Sequence, residues 1–308
     1  MASARTTLGV VVMAYGTPAS PDAIEAYYTH IRRGNAPSPE QLAELTARYE
    51  AIGGISPLAA RTEAQRAVLE RVLEARSPGE VRVVLGQKHA APFIEDAVAT
   101  LASEGIERVV GLVLAPHYSR ASVGQYQERL ATAAGERGMR ATAIDSWHLE
   151  PAYLAFLTDV VRSGLVGLPE RTKVLFTAHS LPERALVGDP YPDQLHESAA
   201  AVAEAVGLNR WAGWSLCWQS AGRTPEPWRG PDVLEVLREL AATERADGVL
   251  VCPQGFVSDH LEVVYDLDIE ARAVADEVGL AFARTRVLND MPSMFEALAD
   301  RVLATAPT

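Results

Sequence analysis

The sequence predicts an α/β protein built as two similar doubly wound domains, each a four-stranded parallel sheet flanked by helices. Three observations carry this. Short aliphatic runs alternate with longer segments of helical period, the pattern of crossover units. Those runs fall into two sets of four, within 308 residues that suffice for two domains of ordinary size. The two sets also echo each other in residues. "GVVVMAYGTP" at 9–18 and "KVLFTAHSLP" at 173–182 share an apolar run, an Ala, a ring, a small residue and a Pro two positions later, so Tyr15 and His179 occupy one slot.

In chain order, the first strand is expected at 8–14. The N-terminus superficially resembles a signal peptide, but its apolar stretch runs straight into a turn instead of a cleavage site. Helices at 22–33, 40–51 and 57–75 follow. The first ends in Arg32 and Arg33, cations that favour its dipole whatever else they do. Paired glycines in "AIGGISP" mark a turn, Ser56 is placed to cap the helix opening at Pro57, and Tyr49 has the character of an amphipathic core residue. Strands at 81–86, 108–115 and 140–145 alternate with helices at 93–104 and 122–137. After a seam near 146–151 come strands at 172–178, 211–217, 248–252 and 280–284, with helices at 191–206, 231–242 and 291–304. The division expected is 1–147 for an N-terminal domain, 148–286 for a C-terminal domain, and 287–308 for a last helix that packs back on the first.

Ligands of open parallel sheets gather at the carboxyl ends of strands. Tyr15, Lys88, His89, His117, His179, Gln219 and Gln254 all fall at such ends. If the two domains face each other, Tyr15 and His179 look into one cleft. Lys88 and His89 are read as part of a solvated loop, with an outer metal-docking point as the alternative. The formal charge of −12 and the lack of a basic tract oppose a nucleic-acid partner. Two cysteines, Cys217 and Cys252, lie 35 positions apart within apolar runs and read as core thiols. No apolar run reaches the roughly 18 residues a membrane crossing needs, so the reading is a cytoplasmic protein without membrane insertion.

The segment "SDHLEVVYDLDIEA" at 258–271 has helical period and places Glu262, Asp266 and Glu270 at i, i+4 and i+8. Like charges at that spacing repel, and a solvated face is the ordinary explanation. Here apolar residues surround the stripe, which points to a cavity lining. Carboxylates near an imidazole suit a divalent cation of borderline hardness or the uptake of protons from a bound molecule, and His179 is the best partner.

"VVMAYGTP", "YYTHIRRG", "RYEAIGGISPL", "PFIEDAV", "VLAPHYS", "TAHSLPE", "GDPYPDQLHES", "PWRGPDV" and "GFVSDHLEVVYD" together resemble the ferrochelatases, specifically the soluble bacterial branch that inserts Fe²⁺ into coproporphyrin III. The resemblance implies a class II chelatase-like fold, with His179 and Glu262 as the metal-site and catalytic pair. It implies Asp266 and Glu270 as a path for metal or protons, and Tyr15 as an axial ligand to iron in the product. Arg32, Arg48, Tyr49, Ser56 and Tyr126, with Tyr15, match the family's porphyrin contacts; guanidinium and hydroxyl donors suit a ring bearing four propionates.

Iron and the porphyrin are then substrates, with no tightly bound cofactor. Two cysteines cannot supply the four ligands of the iron–sulfur cluster that some relatives carry. A monomer is implied, with transient contact to the next enzyme of haem synthesis. Other readings stay open: a protoporphyrin IX ferrochelatase, a cobalt or nickel chelatase that keeps the His and Glu without needing Tyr15, or a non-catalytic coprohaem or haem carrier using Tyr15 and His179 as axial ligands.

Overall fold

A computed structural model describes residues 7–209 and 212–307. The first six residues of the expected N-terminal domain, residue 211 at the head of the expected sixth strand, and residue 308 lie outside the described residues. The chain divides into two compact units: one runs through Ala115 and includes Ala121–Ser146 and Asn289 onward, the other comprises Pro116–Arg120 and Trp147–Leu288.

In the first unit, seven residues with every side chain buried form β1 (Leu8–Ala14). A 3₁₀ turn at Pro21–Ala23 leads into α1 (Ile24–Ile31), followed by α2 (Pro39–Ala51) and α3 (Leu58–Arg76). The start of α2 is fixed by a reciprocal cap: the Ser38 hydroxyl accepts from the Gln41 N–H, and the Gln41 side chain accepts from the Ser38 N–H. Next come β2 (Val81–Gln87), α4 (Ile94–Ser103), β3 (Arg108–Val113), α5 (Val123–Gly135) and β4 (Arg140–Ile144).

The second unit opens with α6 (Pro151–Leu165), a helix absent from the sequence-based expectation, which placed only a seam there. It continues through β5 (Thr172–His179), α7 (Tyr191–Val206), β6 (Trp214–Gln219), α8 (Val233–Ala242) and β7 (Gly248–Cys252). A helical stretch then runs as α9 (Leu261–Val263), a π-helical segment Val264–Ala271, and α10 (Arg272–Val278) before β8 (Ala281–Arg284). The last helix, α11 (Pro292–Thr305), packs in the first unit against α3 and β4, and the Thr142 hydroxyl donates to the Thr305 carbonyl at 2.7 Å.

Both sheets are wholly parallel and share one order. The first is β2-β1-β3-β4 and the second β6-β5-β7-β8. The first strand of each set is therefore an interior strand of its own sheet, and the residues at its carboxyl end emerge where a doubly wound sheet binds ligands. Tyr15 follows β1 and His179 closes β5 opposite Gln219 of β6. Both free cysteines are buried, Cys217 on β6 and Cys252 on β7.

Close approach of α4 to β2 depends on Gly86. A Cβ there would lie 2.9 Å from the Ile94 Cα and 2.9 Å from Val11 Cγ1, so backbone has to move to admit it. Gly86→Ala is expected to destabilise the protein by about 1–3 kcal/mol. The measurement is a urea midpoint at unchanged slope; a wild-type midpoint would show that α4 yields without cost.

The acidic stripe departs from its expected form. Residues 264–271 make π rather than α turns, so an i, i+4, i+8 series is not stacked by α-helical geometry. The three carboxylates instead have different surroundings: Asp266 is buried, while Glu262 and Glu270 are half-buried.

Candidate active site

In the second unit, β5 ends by presenting His179. Its Nδ1 lies against the Ser180 carbonyl, an oxygen that can only accept, so Nδ1 carries hydrogen and Nε2 is the atom left for chemistry. Nε2 is 3.5 Å from Glu262 Oε1. His260, one residue before α9, repeats the arrangement: Nδ1 donates to the Ser258 carbonyl at 2.9 Å and Nε2 is 3.6 Å from Glu262 Oε2. One carboxylate is thus flanked by two imidazoles, each oriented through its far nitrogen by a backbone carbonyl. That is how metal-ligating histidines are held.

Neighbouring strand ends hold the backbone that carries the carboxylate. Gln219, closing β6, donates through Nε2 to the Glu262 carbonyl at 2.8 Å. The next residue, Ser220, has φ of 58°, sparsely populated for a residue with a Cβ, and its hydroxyl donates to Asp266 Oδ2. The Tyr191 hydroxyl donates to the His179 carbonyl at 3.3 Å. Glu270 continues the acidic series within the π segment.

Electrostatics tie the pair together. Burial alone would push the His179 imidazole down, but the adjacent Glu262 carboxylate, the Ser180 carbonyl and Asp266 outweigh it and raise the pKa to about 9. Burial would raise Glu262, yet His179 and then His260 hold it well below the usual carboxylate range. At neutral pH the pair rests as imidazolium and carboxylate, and an arriving dication must displace the His179 proton before Nε2 can bind it.

The first unit holds the remaining predicted residues. Tyr15 is 43% exposed, and its ring lies 4.6 Å from that of His89. Arg32 caps α1, with its guanidinium 5.5 Å from the Tyr28 ring and Nε donating to the Asn35 carbonyl at 3.2 Å. Arg48 and Tyr49 lie on α2; Tyr49 is buried, with its hydroxyl 3.4 Å from that of Thr17. Buried Ser56 accepts from the Leu58 N–H at 3.2 Å, which satisfies the start of α3. Tyr126 on α5 is buried, and that burial raises its phenol pKa.

Lys88 and His89 lie in a loop, as the sequence suggested, but are half-buried in it rather than fully solvated. Lys88 Nζ lies 5.1 Å from the Tyr126 ring centre, and burial with Arg129 and Arg33 nearby lowers its pKa to about 8. His89 Nδ1 meets His30 Nδ1 at 3.0 Å, and burial with Lys88 lowers it to about 3. In a protein of net charge −12, the cations beside Tyr126 are Lys88 and Arg129, the latter paired with Glu95.

The fold is that of the class II chelatases. SirB from Bacillus subtilis, solved with Fe³⁺, superposes with a TM-score of 0.59 at 12% identity over 97% of this chain and 96% of its own. CbiX, the terminal enzyme for biosynthesis of siroheme in denitrifying bacteria, gives 0.53 at 15% identity over 97% and 98%. Within that fold the sequence is decisive: the ferrochelatase family profile matches residues 7–306, and the chain belongs to the ferrochelatase family. It is 46% identical to the coproporphyrin III ferrochelatase of Geobacillus kaustophilus (strain HTA426) over 97% of this chain and 96% of the relative. Identity to the coproporphyrin III ferrochelatase of Bacillus subtilis (strain 168) is 45% over 97% and 98%. Among the described residues no helix is long and apolar enough to cross a membrane.

Proposed function

We propose that this protein inserts Fe²⁺ into coproporphyrin III, releasing two protons and giving coprohaem for haem synthesis in the cytoplasm. The observation that carries the reading is Glu262 flanked by His179 and His260, each imidazole with Nε2 free of backbone bonds, on a chain of the ferrochelatase family. Relatives that share about half its residues are named for this porphyrin.

Insertion exchanges two pyrrole N–H protons for one metal ion. Bending the macrocycle tilts pyrrole nitrogens out of plane, exposing lone pairs and N–H groups that a flat ring hides, and a site complementary to the bent form lowers the barrier. His179 and Glu262 bind the ion, pass it on and take up the released protons. Asp266 and Glu270 form the path along which metal arrives or protons leave. Tyr15 ligates iron in the product. Arg32, Arg48, Tyr49, Ser56 and Tyr126 bind the porphyrin, whose four propionates call for cations and hydroxyl donors in an otherwise acidic protein. The N-terminal domain thus contributes porphyrin contacts and the C-terminal domain the metal pair. The coprohaem passes by transient contact to the next enzyme.

The test is anaerobic: purified protein, Fe²⁺ and coproporphyrin III, followed by loss of free-porphyrin absorbance, with protoporphyrin IX run in parallel. Faster loss than the protein-free control, and a higher kcat/KM for coproporphyrin III, is expected. No acceleration with tight coprohaem binding would identify a carrier, and preference for protoporphyrin IX would move the substrate assignment.

A further inference from the structure

A π-helix is rare and is found mostly as single turns near functional sites, so eight residues of it need support from outside the helix. The support on the side of β6 is Gln219 and Ser220. The support on the side of β8 is Arg284, which neither the sequence reading nor the mechanism above uses. Arg284 ends β8 in register with Val251 of β7, so the sheet holds its backbone. Its guanidinium grips Asp268 with two parallel bonds, Nε to Oδ1 at 2.7 Å and Nη2 to Oδ2 at 2.7 Å. Nη1 donates to the Thr285 carbonyl at 3.1 Å and lies 3.6 Å from Asp259 Oδ1.

The two acids it joins bracket the metal site. Asp259 immediately precedes His260, and Asp268 lies in the π segment between Asp266 and Glu270. The Arg284 side chain is only 15% exposed, and a planar fork is the one cationic group that engages a carboxylate through two bonds while reaching a second acid.

We propose that Arg284 is the positioning residue of the metal site: by tying Asp259 and Asp268 to the end of β8, it sets the angle at which Glu262 stands between His179 and His260. It touches neither porphyrin nor metal. The inference rests on the metal-insertion reading above and adds to it a residue that governs use of the metal but not of the porphyrin.

Four variants test this: Arg284→Met, Arg284→Lys, Asp268→Asn and the double Arg284→Met/Asp268→Asn, each checked for fold by circular dichroism. The expected result is a loss of about 10–100-fold in kcat/KM for the metal, the scale of outer-sphere partners of metal ligands, with coproporphyrin III Kd unchanged. Arg284→Lys, which keeps the charge but loses the fork, should recover only part of the activity. The double variant should be no worse than the poorer single one, as expected of residues acting as a unit.

Wild-type kcat/KM for the metal in Arg284→Met would overturn the proposal. So would a loss of porphyrin affinity in step with metal use and thermal stability, the signature of a brace for the whole unit. If Arg284→Met does not fold, Asp268→Asn, nearly identical in shape, decides the matter by the same two readouts. Zn²⁺ titration of the porphyrin-free protein keeps the question separate from the function: if the wild type binds Zn²⁺ yet inserts no metal, the functional reading fails, and a weaker Zn²⁺ Kd in the variants still supports Arg284.

Discussion

Glu262→Gln should lower iron insertion by about 10²–10⁴-fold, the range over which positioned acid–base groups act, while coproporphyrin III binds as in the wild type. The change is nearly isosteric, and the Gln219 bond to this residue goes to its backbone carbonyl, so the local chain path has no reason to move. What disappears is the charge. The carboxylate lies 3.5 Å from His179 and 3.6 Å from His260, and an amide in its place gives a dication no anionic ligand and offers a pyrrole proton no base. The proposed porphyrin contacts Arg32, Arg48, Tyr49, Ser56 and Tyr126 belong to the other compact unit, so fluorescence titration of the porphyrin should return the wild-type Kd. Turnover within tenfold of wild type would remove Glu262 from the mechanism. Loss of porphyrin binding in step with turnover would show that the residue holds the ring.

Much of this architecture was legible in the residues, for a physical reason. A strand of a doubly wound sheet is buried on both faces, so β1 and β7 read as nearly continuous aliphatic runs and β5 has a buried apolar centre at 174–176. Even the recurrence of Tyr15 and His179 at matching strand ends follows from two sheets built in one order. The acidic stripe was visible too, but its geometry was not. Over eight residues with apolar groups on most sides, a π period and an α period leave the same pattern, and the groups that bond this segment's carboxylates, Ser220 and Arg284, are distant in sequence.

His260 was missed because two positions before Glu262 is the wrong spacing for one helical face. The structure resolves this: His260 is extended, with φ of −158° and ψ of −179°, and the helix begins only after it. An H-x-E at a helix entry was the available signal. The start of α6 is signalled by Pro151 at its first turn, directly after the seam. Lys88 and His89 looked solvated since nothing local to them shows that Tyr15 and Tyr126 cover them.

His179→Ala is expected to be as damaging to insertion as Glu262→Gln, and its pH behaviour identifies what the imidazole does. With its pKa raised to about 9, wild-type His179 holds a proton that the metal must displace, so Zn²⁺ affinity of the porphyrin-free protein should rise with pH up to about 9, by about tenfold per unit if one proton leaves. The variant should bind Zn²⁺ weakly and lack this rise. Stability carries the opposite slope. A group whose folded pKa is raised contributes stability that is fully present below its unfolded value, about 6.5 for histidine, and lost as pH climbs through the folded value near 9. Glu262, held low, contributes the same pairing from the other side: present above the ordinary carboxylate range and lost as pH falls through its folded value. The thermal stability of wild type relative to His179→Ala should therefore be greatest in mildly acidic solution and shrink toward pH 9. A difference in Tm that is flat across that window would mean that His179 and Glu262 do not share a proton-linked interaction, and the metal would then enter without displacing one.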